Sequence, residues 1–134
     1  MFLDSLAQQK SSGDRISCVI YNSSSRIVFR DQVPTSALNN QIQMVSGGTN
    51  YAPALEDARK ITKDSNAKFS KIIYYFMSDG HPWDEEFAIN KINEIKKEPW
   101  ISKVEFLAVG FGGGYSSSFP VLERMAAAFP NGKM

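Results

Sequence analysis

The chain has 134 residues, with 15 Lys and Arg against 14 Asp and Glu, a net charge of +1 and 43% hydrophobic residues. That length suits one domain with a modest core, and balanced charge without like-charge runs leaves no electrostatic footprint for nucleic acid. No apolar run nears the roughly 18 residues of a membrane span, and a single cysteine, Cys18, excludes an internal disulfide and a cysteine-based zinc site.

The opening "MFLDSLAQQK" places Phe2, Leu3, Leu6 and Ala7 on one helical face, with Gly13 as the stop. It lacks a basic leader, so it does not read as a secretory signal. Together with the missing disulfide pairs, this favours a cytoplasmic, intracellular protein. "RISCVIYN" and "RIVFRDQ" follow as two β-rich runs joined by "SSS", the pattern of a hairpin. "TSALNNQIQMV" reads as a short helix capped by Thr35 or Ser36 and ended by "SGGT". "APALEDARKITKDSNAKF" spaces Leu55, Ala58, Ile61 and Thr62 as one helical face, with Pro53 in the first turn.

"KIIYYFMS" is continuously apolar and is expected to be a strand covered on both faces. Asp84 then suits the cap of a helix with Glu85 and Glu86 in its first turn and Lys96 and Lys97 in its last, ended by Pro99. "KVEFLAV" is another strand. "PVLERMAAAF" gathers Leu122, Met125, Ala126 and Phe129 on one face and stops at "PNG". Strands alternating with amphipathic helices predict a single α/β domain over residues 1–134, a Rossmann-like, open and mostly parallel sheet with helices on both faces.

In such a sheet, ligands gather beyond the carboxyl ends of the strands. Three loops fall there: "SGGTNY", "SDGHPWD" and "VGFGGGYSSS". Asp79 follows an apolar strand, where a carboxylate needs hydrogen bonds, a cation or water. With Gly80 it reads either as turn chemistry or as a hard-cation ligand, to which Thr49 would add a hydroxyl. The glycines at 110, 112, 113 and 114 do not fit GxGxxG, because Tyr115 stands in the last position, and no P-loop lysine follows. His81 with one of many serines does not make a hydrolase site, and no GxSxG elbow is present. Trp83 and Tyr51 lie beside the rim, as partner anchors or as plain packing.

"GGTNYAPALEDA", the strand ending "MSDGHPWD" and "VEFLAVGFGGG", preceded by "GDRISCVIYNSSSRIVF" and followed by "LERMAAAF", together resemble the von Willebrand factor type A (vWA) domain. The resemblance implies a non-enzymatic protein-interaction module, whose Mg²⁺ or Mn²⁺ at a metal-ion-dependent adhesion site is completed by a partner's acidic side chain. It matches Thr49 to the family's threonine and Asp79 to its second aspartate, with Gly48, Asn50, Tyr51, Gly80, His81 and Trp83 forming the partner-binding rim. The family's first strand, which carries Asp-x-Ser-x-Ser, has no counterpart, so the domain reads as truncated at both ends and its metal site as weak. Loss of that strand would leave two unpaired edges, open to pairing with another chain. The alternative function is a metal-independent module that binds through an apolar or edge-strand surface.

Overall fold

The computed structural model describes residues 14–42, 48–78, 81–111 and 119–134; the expected first helix lies outside them. Strands β1 (Ile16–Tyr21) and β2 (Ser25–Gln32) form the expected antiparallel hairpin. Its turn is fixed by Asn22, whose side-chain oxygen accepts from the Ser24 amide at 3.1 Å, the turn chemistry typical of asparagine. The register shifts on both sides of Cys18. Opposite this irregularity Asp31 adopts φ 47°, and its amide donates to Ser17 Oγ at 3.0 Å.

Residues Ser36–Gln41 form a 3-10 helix rather than an α-helix, and neither Thr35 nor Ser36 supplies a side-chain cap. Asn39 and Asn40 are weak helix formers that favour turns. Helix α1 (Ala52–Ser65) ends earlier than its periodicity suggests and passes into a 3-10 turn, Asn66–Lys68. Strand β3 (Ile72–Ser78), helix α2 (Glu85–Ile95), strand β4 (Val104–Gly110) and helix α3 (Pro120–Ala128) follow. Lys96 and Lys97 fall just past α2. A two-residue strand, β5 (Gly132–Lys133), was not legible in "PNG"; it pairs parallel to β4 through Phe106 and Gly132. Gly132 is required there, since a Cβ would sit 1.8 Å from the Ala126 carbonyl oxygen.

The fold is α/β with a parallel β3-β4-β5 sheet, as expected, but the described strands form two sheets rather than one: β1-β2 stands apart. Nor is β3 covered on both faces. Tyr74 and Phe76 point to the helices, whereas Ile73, Tyr75 and Met77 are each more than 40% exposed. A continuous apolar run specifies a strand but not which elements flank it.

One core unites α1, α2, α3 and the inner face of β3-β4. Its centre is a file of rings. Phe129 stacks on Phe106 at 4.4 Å, Phe106 meets Phe76 at 6.0 Å, and Phe76 meets Tyr51 edge-on at 4.8 Å. Ion pairs join the helices outside it. Glu56 of α1 bonds Arg59 and reaches Lys91 of α2 at 2.9 Å, while Arg59 reaches Glu98 at 3.3 Å.

The Arg59 hydrogen bond, with help from Lys91, draws the Glu56 carboxyl down from 4.5 to about 2 against the opposing effect of partial burial. A carboxyl depressed in the folded state contributes stability above its unfolded value, and loses that contribution as pH falls through the folded one. Glu56→Gln should therefore lower the thermal midpoint at neutral pH, by an amount corresponding to about 1 kcal/mol once solvent screening is allowed for. The difference from the unsubstituted chain should shrink below pH 4.5 and vanish near pH 2, as followed by circular dichroism.

Candidate functional site

The carboxyl ends of β3 and β4 meet at the pair Ser78 and Gly110. Around them three loops interlock. The Asn50 amide donates to the Asn22 carbonyl at 2.8 Å and its side chain to the Ser23 carbonyl at 2.9 Å, tying the hairpin turn to the loop before α1. The Trp83 amide donates to the Thr49 carbonyl at 2.7 Å, tying that loop to the one before α2.

Asp84 provides the strongest link. It occupies the N-cap position of α2, but its side chain does not cap that helix. Instead its two carboxylate oxygens accept from the amides of Tyr51 and Ala52, at 2.7 and 2.8 Å. Helix α1 thus begins on a carboxylate supplied from a loop more than thirty residues away, which satisfies two of its unpaired amides and complements its dipole. A local sequence signal assigns such a cap to the helix that follows, so its true target was not readable.

Of the predicted site residues, Thr49 lies half-buried at this junction, with Gly48 and Asn50 on either side. Gly48 accepts the Trp83 ring against its backbone; a Cβ there would stand 2.1 Å from the ring. Trp83 is otherwise 75% exposed, and His81 is exposed. Tyr51, read as part of the rim, is fully buried. Its ring wedges against Phe76 and Tyr21, and its hydroxyl shares a hydrogen bond of 2.5 Å with Ser78 Oγ, so it braces the rim from beneath. Asp79, Gly80 and the glycine-rich loop from Gly112 to Ser118 lie outside the described residues. Two exposed aromatics that the sequence did not single out, Phe87 and Phe111, also belong to this end of the molecule, one on the first turn of α2 and one directly after β4.

The described residues do not by themselves fit a divalent cation. No three His, Cys, Asp or Glu side chains come together among them, and the one described carboxylate at the junction, Asp84, is spent on two amides. A hydroxyl from Thr49 falls far short of the six oxygens that Mg²⁺ requires.

A second feature runs the length of the strands. Between β1 and β3 lies a cavity of about 710 Å³, with β1 as one wall, β3 as the other, and Leu55, Ala58 and Ile61 of α1 lining its floor. Tyr21 spans its far end. The Tyr21 ring stacks on Phe76 at 5.5 Å, and its hydroxyl donates to the Met77 carbonyl at 2.8 Å.

No family profile and no curated protein matches the chain. Among solved structures it is similar to the manganese-loaded TRAP protein of Plasmodium vivax, at 18% identity and a TM-score of 0.64. The match covers 98% of this chain and 55% of that one, so the chain spans about half of its structural neighbour. That neighbour contains a vWA domain, and the likeness shows a vWA-like fold. Among the described residues no helix is long and apolar enough to cross a membrane.

Asp84→Ala should strip two charge-assisted hydrogen bonds from the start of α1, at a cost of about 2 kcal/mol in urea unfolding. Asp84→Asn keeps one acceptor oxygen and should fall between the two.

Proposed function

We propose that this chain is a non-enzymatic protein-interaction module of the vWA type whose metal-ion-dependent adhesion site is incomplete. The observation that carries the reading is the interlocked junction at the strand ends. Three loops tied by Asp84, Thr49 and Asn50 present the exposed ring of Trp83 from a fixed base. Exposed aromatics on rigid supports are the usual anchors of protein partners. Thr49, with Asp79, would supply the site's oxygens, and the partner's acidic side chain would be the remaining protein ligand.

A second reading, that the module binds without metal through a strand edge, draws on the cavity between β1 and β3. The two readings separate on metal dependence. A site half-filled by millimolar Mg²⁺ would stabilise the fold by about 0.4 kcal/mol, raising the thermal midpoint of a chain this size by roughly 1–2 °C. For an incomplete site the midpoints in Mg²⁺, Mn²⁺ and EDTA should agree to within about 1 °C. An upward shift that Asp79→Ala abolishes would contradict incompleteness and restore a working metal centre.

A further inference from the structure

We propose that Asn131 is a self-modification site, at which the Gly132 amide nitrogen displaces the side-chain ammonia and leaves an isoaspartate that uncouples β5 from β4. The site lies in a part of the molecule that the interaction-module reading does not use.

An asparagine carboxamide can be attacked by the main-chain nitrogen of the residue that follows it. A bond forms between that nitrogen and Cγ, the Cγ–Nδ2 bond breaks, and ammonia leaves with the proton of the attacking amide. Water then opens the resulting succinimide at one of its two carbonyls. Opening at the main-chain carbonyl gives isoaspartate, in which the chain runs on through Cγ; opening at Cγ gives aspartate. The balance is one water in and one ammonia out, with no oxidant and no cofactor. Glycine in the second position leaves the nucleophile unshielded, because it carries no side chain.

The fold leaves this reaction open. Asn131 and Gly132 form the dipeptide at which the turn after α3 enters β5. Asn131 is exposed, and among the described residues no hydrogen bond holds its side chain. Its carbonyl accepts from the Phe106 amide at 3.0 Å, and Phe106 stands opposite Gly132. In a parallel ladder the bonds to Phe106 come from the neighbours of the residue opposite it. The amide of Gly132 itself therefore points away from β4 and is not spent on the ladder. Strand β5 has only two residues, so local opening breaks few bonds.

The product does not fit where the asparagine did. Isoaspartate adds a carbon to the main chain between positions 131 and 132, and the former main-chain carbonyl becomes a free carboxylate. Helix α3 leaves no slack for the longer chain: a Cβ on Gly132 would stand 1.8 Å from the Ala126 carbonyl oxygen and 2.7 Å from the carbonyl carbon. Gly132 is thus pushed out of register with Phe106, whose ring stacks on Phe129 at 4.4 Å. Age, rather than a ligand, then sets whether β4 keeps β5 as its neighbour.

The test follows the full chain at alkaline pH, where the attacking amide loses its proton more readily. Trypsin cuts after Arg124 and Lys133 and releases Met125–Lys133, in which chromatography separates the asparagine, aspartate and isoaspartate forms. An isoaspartyl methyltransferase with labelled S-adenosylmethionine marks the isoaspartate. The same peptide, aged alone, gives the rate without a fold. Conversion in the full chain should stay within threefold of that rate, isoaspartate should exceed aspartate, and Asn131→Gln should cut the label on this peptide at least tenfold. Amide hydrogen exchange then compares the isoaspartate form with Asn131→Asp, which carries the charge without the extra carbon. The Phe106 amide should exchange at least tenfold faster in the isoaspartate form, and within twofold of the unmodified chain in Asn131→Asp. Conversion more than threefold slower in the full chain than in the peptide, or Phe106 protection unchanged by isoaspartate, overturns the proposal. Loss of that protection in Asn131→Asp as well would assign the effect to charge, which also overturns it.

Discussion

Everything in this molecule is hung on α1, which ties together two sheets that, among the described residues, make no strand pairing with each other. On one side Asp57 accepts from Ser25 Oγ at 2.6 Å and Asp64 pairs with Arg30 at 3.0 Å, which fastens the helix to β2. On the other, Thr62 Oγ1 and the Tyr74 hydroxyl share a hydrogen bond of 2.5 Å, fastening it to β3. Burial pushes the Tyr74 phenol up to about 12. Leu55 and Ala54 enter the main core, Glu56 reaches across to Lys91 of α2, and Arg59 reaches Glu98 just beyond that helix. Among the described residues the hairpin is thus held by α1, by Asn50 in the loop before it, by Lys68 beyond it and by Tyr21, not by a continuous ladder.

The same helix sets the candidate site. Its first turn rests on Asp84, and its N-cap residue, Tyr51, drives a buried ring under the strand end, where the hydroxyl meets Ser78. Loop, helix start and strand terminus therefore move as one piece. Such a base suits recognition by fixed shape. It also explains why Asp84 is unavailable as a ligand: its negative charge is already matched by the amides and dipole of α1.

Much of this was legible in the sequence. The period of the helical faces identified α1 and α3, the Asp84 cap signal and the charge pattern identified α2, and Leu122, Met125, Ala126 and Phe129 are all buried as their spacing implies. The Asn-Ser-Ser-Ser turn gave the hairpin, and the order of elements gave the fold class. What escaped was tertiary. Whether a strand's second edge is occupied depends on partners distant in the chain, so the separation of β1-β2 from β3-β4-β5 has no local signature. Asp84 carries an ordinary capping signal for the wrong helix, and Tyr51 looked like a rim aromatic because burial under a loop leaves no periodic trace. Strand β5, two residues long, is too short for any pattern, although Gly132 marks the close approach that forms it.

The central claim is that β3 pairs with β4 along one edge while, among the described residues, no strand pairs with its other edge. Amide hydrogen exchange read residue by residue along β3 tests it most directly. The account predicts slow exchange at Tyr74 and Phe76, whose amides point to β4, and fast exchange at Ile73 and Met77, whose amides point into the cavity. Equal protection at all four would mean that the second edge is already paired, and would contradict it.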